Sequence, residues 1–160
     1  MRRDAAAVDH VLVNDDSRRG AHTVGPNRVG VLDLDDLDLD ARAVAQDGTP
    51  FDSAVQNQRA ALGLSRGVVH VAFRGHAADC GDFRGFVVGV RVTPDGAAGP
   101  VQTFATTSTG GGIWGPGGVA ADERGVYVAT GNTFNPPAWS LGESVLRLAP
   151  GPVFSGRSRD

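Results

Sequence analysis

Gly110, Gly111 and Gly112 run together, and Trp114 follows with Ile113 between. Glycine has no Cβ, so such a run can take positive φ and let another group come close to the backbone. A large flat ring beside an open backbone offers a face on which a planar ligand can stack. Further along, Asn132 follows Gly131, and its amide oxygen can ligate a hard cation. On this reading Gly111, Gly112 and Trp114 bind a cofactor and Asn132 binds a metal. The same residues also read as a β-hairpin whose glycines allow tight packing around a core tryptophan. Residue types alone leave both readings open.

Three other groups of residues carry weaker signals. His76, Asp79, Cys80 and Asp82 share one polar loop, but their spacing matches no zinc signature. Cys80 as a nucleophile needs a base such as His76, and nothing in the sequence positions one. Asp33, Asp35, Asp36, Asp38 and Asp40 lack the glycine and final glutamate of an EF-hand loop, so they read as a solvated acidic edge. The leucines of that run change parity at Asp35-Asp36, which predicts strand, turn, strand or a bulge. His70 alternates with Val69 and Val71, which places it on the opposite face of a strand, as a surface residue.

The elements that must hold these residues are β-strands. The 160 residues are 41% hydrophobic, enough for one core, and 23 are glycine, which argues for many turns. Apolar residues alternate in short runs. Strands are predicted at Val8–Val13, from Val29, and at Ala60–Leu64, Val68–Phe73, Gly85–Val92, Val101–Thr106, Val119–Ala121, Val126–Ala129 and Leu146–Leu148. Arg66-Gly67, Thr93-Pro94-Asp95-Gly96 and Asp122-Glu123-Arg124-Gly125 read as turns between them. No helical periodicity of useful length is present. The pattern also repeats. Gly67 and Gly125 stand 58 positions apart, each followed by a valine-rich strand, a loop and a second strand. Such a period fits a propeller blade of four strands with a long connection.

Several function classes are excluded or disfavoured. A net charge of −3 and the lack of a basic patch argue against nucleic acid. No run approaches the roughly 18 apolar residues of a membrane helix. Cys80 is the only cysteine, so no intrachain disulfide forms. Met1-Arg2-Arg3 looks like the start of a signal peptide, but Asp4 and Asp9 interrupt the next residues and no apolar stretch appears. The chain therefore shows no export signal.

GGGIWG, then VYVATGN, then Pro136-Pro137-Ala138-Trp139 resembles the quinoprotein alcohol dehydrogenase-like β-propellers, over roughly residues 55–150. In that superfamily's dehydrogenases the tryptophan stacks on pyrroloquinoline quinone (PQQ) and the asparagine ligates the Ca²⁺ beside it. By position these are Trp114 and Asn132. The same skeleton also occurs in PQQ-like propellers with no known cofactor. Val55–Phe73 and Asp79–Val90 are similar to that second group, as found in high-GC actinobacteria; the absence of lysine among the 15 basic residues agrees. The dehydrogenases carry two adjacent cysteines that this chain lacks. The resemblance also puts the family's catalytic aspartate in a later blade, and no glutamate matches its calcium ligand.

The expectation is thus an all-β chain, an incomplete β-propeller of about three four-stranded antiparallel blades over 28–150. A poorly patterned segment (1–27) precedes it and a flexible tail (151–160) comes after it. Fewer blades than a ring needs points to a fragment or to a segment completed by partner chains. The resemblance implies a non-catalytic scaffold or binding module outside the cytoplasm. Its partner is a protein or small molecule and it carries no cofactor. The alternative is a fragment of a PQQ- and calcium-dependent alcohol dehydrogenase.

Overall fold

The structure is a computed structural model. It describes residues 37–77, 79–93 and 98–154, together with the backbone pairing of 10–14 and 29–33. Strands β1 (His10–Asn14) and β2 (Val29–Asp33) pair in parallel. A single-turn helix α1 (Leu39–Arg42) comes next. Then come β3 (Gln56–Gln58), β4 (Gly63–Ser65), β5 (Val68–Gly75), β6 (Phe86–Val92) and β7 (Ala98–Ala105), which form one antiparallel sheet. The last three, β8 (Ala120–Asp122), β9 (Gly125–Ala129) and β10 (Val145–Leu148), form a second antiparallel sheet in the order β10-β9-β8. The chain is mainly β, as the sequence predicts. Among the described residues no helix is long and apolar enough to cross a membrane.

The first sheet is covered on both faces, which is why β5 and β6 read as nearly unbroken apolar runs. Val69, Val71, Phe73, Phe86, Val88 and Val90 point to one side and pack against Leu37, Ala43, Ala45 and Phe51. Phe51 meets Phe73 and Phe86 edge-on, with ring centroids 4.8 and 5.4 Å away. Ala72, Val87 and Phe104 point to the other side, where they meet Val126, Val128, Leu146 and Leu148 of the second sheet. Strand alternation thus sends successive residues into two different cores.

His70 belongs to the second of these faces and is fully buried, so its expected place on the surface is corrected. Alternation put it opposite Val69 and Val71 correctly; the second sheet then covers that face. Neither ring nitrogen has a hydrogen-bond partner among the described residues. Burial pushes the imidazole below its ordinary value of 6.5, against a weaker pull from backbone groups of Gly63 and Val68, which do not reach hydrogen-bonding geometry.

The two hairpins that begin at Arg66-Gly67 and Arg124-Gly125 in the sequence stand one residue out of step with those glycines. Ser65 pairs with Val68 across one turn and Asp122 with Gly125 across the other, so the two hairpins lie 57 positions apart, where the glycines lie 58 apart. The reason is turn chemistry. Arg66 and Gly67 both take positive φ (51° and 71°), the requirement of a type I′ hairpin. In the second hairpin Glu123-Arg124 make the turn and Gly125 already lies in β9. There the Asp122 carboxylate accepts from the Arg124 and Gly125 amides at 2.7 and 3.1 Å, and from the Tyr127 hydroxyl at 3.1 Å. At the 57-position offset Val69 and Val71 match Val126 and Val128, and each pair faces the unit before it.

Other expectations need correction. Of the strand predicted at Ala60–Leu64 only Gly63 and Leu64 are strand, in β4: β3 and β4 share one edge of β5, and residues 59–62 leave that edge. There the Ala61 amide donates to Pro116 O at 3.1 Å, and Ala61 O lies so close to Gly118 that a Cβ on the latter would come within 1.9 Å. After the acidic run the chain forms α1, not a strand. Asp38 caps it by accepting from Ala41 N at 3.1 Å. The parity change at Asp35-Asp36 and most of the Thr93–Gly96 turn lie outside the described residues. The parallel β1–β2 pair departs from an antiparallel blade. Residues 151–154, expected in a flexible tail, fold back: Ala149 and Val153 exchange backbone hydrogen bonds (2.8 and 3.0 Å), and Phe154 packs against Phe104. Residues 155–160 lie outside the described residues.

Candidate functional site

Where β5 and β9 end, the loops beyond them enclose a pocket of about 390 Å³. Its walls are Arg59, Arg74, Asp79, Trp114, Asn132 and Phe134, with Gly112, Gly131 and Phe83 behind them. The glycine run builds it. Gly110 N donates to Phe83 O (2.9 Å) and Gly110 O accepts from Gly85 N (3.0 Å), tying the run to the first sheet. Gly111 N donates to Asn132 O (2.7 Å) and Gly112 O accepts from Gly131 N (2.9 Å), tying it to the second. Gly111 takes φ +69°, and a Cβ there would lie 2.7 Å from Thr106 Cγ2. Gly112 leaves room for the stem of Arg74, whose Cβ would be 2.9 Å from an added methyl.

The structure therefore brings Gly112, Trp114 and Asn132 to one pocket. Gly111 is buried behind it, against Thr106, and does not reach the cavity. Trp114 is not a core residue. Its side chain is 57% exposed, and one edge of the indole rests on the backbone of Gly131, where an added Cβ would stand 3.1 Å from Nε1. The glycines do perform the packing role foreseen for them, while the tryptophan they were expected to enclose stands open.

Sequence reasoning misses Arg59, Arg74 and Phe134. Each comes from a different loop or strand end, and no local pattern joins them. Asp79 stands out in the sequence only as part of a weak metal group. Asp79 takes positive φ (50°), as does Gly81 (77°) in the same turn. Arg74 Nε donates to Gly75 O at 2.5 Å, which steers the guanidinium along the pocket wall. Among the described residues the single ion pair joins Arg84 and Asp47 (2.6 Å), so Arg59, Arg74 and Asp79 are in none. Phe134 stands edge-on to Phe83, with centroids 6.0 Å apart.

Residues 131–144, which begin in the pocket wall, form a loop held by side chains. Thr130 Oγ1 donates to Leu141 O at 2.7 Å and accepts from Ser144 N at 3.1 Å. Trp139 Nε1 donates to Gly142 O and Ser144 Oγ at 3.3 and 3.1 Å. Asn135, Leu141 and Glu143 all take positive φ, a density of strained residues typical of loops with a task. His76 Nδ1 lies 3.4 Å from Asn57 Nδ2. No group of three or more His, Cys, Asp or Glu side chains able to hold a metal occurs among the described residues. Compared with protein-family models, curated proteins and solved structures, the chain matches none.

Proposed function

We propose that the chain is a non-catalytic module of the PQQ-like β-propeller repeat type, acting outside the cytoplasm as a scaffold whose pocket takes a small molecule. The two antiparallel sheets are its blades; their shared strand order and the 57-position spacing of their hairpins support that reading. The observation that carries the binding role is the half-exposed Trp114, which shares a pocket with two arginines engaged in no ion pair among the described residues. An indole with most of its surface in water is poor core material and good ligand surface.

The second reading is a fragment of a PQQ- and calcium-dependent alcohol dehydrogenase. It is favoured by Trp114 and Asn132 lining one pocket. The quinone is flat and carries carboxylates, so Trp114, Arg59 and Arg74 suit it. Calcium fits less well. It takes six to eight oxygen ligands, and here the Asn132 amide and the Asp79 carboxylate share the wall with two guanidinium groups. When bound, the pair would supply an electron acceptor and a Lewis acid; this chain's residues would only hold and orient it.

A thermal melt with and without PQQ plus Ca²⁺ separates the two. A ligand at a hundred times its Kd adds about 2.7 kcal/mol, or about 5–10 °C for a domain of this size. An upward shift that is lost in Trp114→Ala favours the quinoprotein fragment. Quinone-dependent alcohol oxidation by the purified chain would overturn the non-catalytic reading.

A further inference from the structure

We infer that the ligand of this pocket is an acidic saccharide, a pyranose bearing a carboxylate; this rests on the binding-module reading above. The aromatic surface is one-sided. Trp114 lines the pocket with 57% of its surface exposed, whereas Phe134 is held edge-on to Phe83 at 86°. A flat aromatic ligand gains most when it is enclosed by apolar walls on both sides. A pyranose needs one apolar wall only. Its axial C–H groups form an apolar face, and its hydroxyls project from the rim into polar surroundings.

The rest of the wall supplies those surroundings. Arg59, Arg74, Asp79 and Asn132 carry planar, forked groups, guanidinium, carboxylate and amide. The guanidinium forks present paired donors, the carboxylate paired acceptors and the amide one of each, arrangements that meet neighbouring hydroxyls two at a time. Asp79 and Asn132 supply acceptors, and the arginines supply donors. The charges do not cancel: two guanidinium groups face one carboxylate, and none of the three is in an ion pair among the described residues. One positive charge is left for the ligand, and a sugar carboxylate matches the guanidinium fork. A volume of about 390 Å³ lies at the small end of the range for small-molecule sites.

Titration calorimetry on the full chain tests this with sodium glucuronate, glucose, benzoate and PQQ. Glucuronate is expected to bind at least tenfold more tightly than glucose or benzoate. Arg59→Gln, at an exposed residue, should erase that advantage over glucose without changing the melting temperature. Trp114→Ala should abolish binding of both sugars. Equal affinity for glucuronate and glucose, or preference for benzoate, overturns the inference and leaves the pocket a ligand site. Tighter binding of PQQ overturns it in favour of the quinoprotein reading. No saturation by any of the four probes at about 10 mM, a concentration that would detect even millimolar affinity, overturns both the inference and the binding role of the pocket.

Discussion

Replacing His70 with leucine should stabilise the protein and remove part of its acid sensitivity. His70 is fully buried between the two sheets, and both ring nitrogens lack partners among the described residues. A buried polar group without a hydrogen bond costs about 1–3 kcal/mol, and an apolar side chain of similar volume escapes that cost. His70→Leu should therefore raise stability by about 1–3 kcal/mol, or about 2–4 °C per kcal/mol in melting temperature. The pH dependence has a definite sign. The folded-state pKa lies below the ordinary 6.5, so below that pH the unfolded chain binds a proton that the folded chain refuses. The wild type is then fully stable above 6.5 and loses stability as pH falls toward the lowered folded value, by at most ~1.4 kcal/mol per pH unit. Urea melts at several pH values between 5 and 8 read both effects. The wild-type curve should fall below pH 6.5, and the variant curve should stay flat there. A variant less stable than wild type at pH 8, or two curves of equal slope, would refute the reasoning and mean that the imidazole has partners in solution.

Other perturbations have equally definite outcomes. A Cβ at position 85 would stand 2.0 Å from the Gly111 carbonyl oxygen, so Gly85→Ala should cost about 1–3 kcal/mol or more, read in chemical denaturation. Thr130→Val removes the hydroxyl that serves Leu141 O and Ser144 N; it should cost about 1–3 kcal/mol and speed amide exchange across residues 131–144. Burial would raise the Asp47 carboxyl, but hydrogen bonds from Arg84 and Thr49 outweigh it and hold the group below its ordinary 3.8. Its contribution is therefore present above that value and lost as pH falls through the lowered one. Asp47→Asn should change stability by only about 0.2–1 kcal/mol at pH 7, because the pair is partly exposed.

The strands were legible because alternation and turn residues are local signals. Val69-His70-Val71 and Val126-Tyr127-Val128 announce themselves, and Arg66-Gly67 marks its hairpin. What covers a strand is not local. Nothing within β5 says that a second sheet lies over His70, so its burial was out of reach. Likewise the split between β3 and β4 depends on Pro116 and Gly118 reaching Ala61 from more than fifty residues away in the sequence. For the pocket, Trp114 and Asn132 were visible because each sits beside unusual glycines. Arg59 and Arg74 were not, since an arginine at a strand end looks the same whether it faces water or a cavity. Gly111 was credited with a ligand, yet its lack of a side chain serves Thr106.

The glycine run that joins the two sheets does so mainly through main-chain atoms, from Phe83 and Gly85 on one side to Gly131 and Asn132 on the other, with the Thr106 hydroxyl accepting from Gly85 N and donating to Gly110 O, both at 3.1 Å. Every residue type except proline carries those donors and acceptors, so the seam is indifferent to most side chains around it. Its specificity lies in the missing Cβ atoms of Gly85, Gly110 and Gly111, each of which would strike the backbone or a buried threonine. Drift can therefore rewrite the walls of the pocket, and with them the choice of ligand, while the hinge line on which those walls hang keeps its shape. A seam of this kind separates what the molecule recognises from what holds it together.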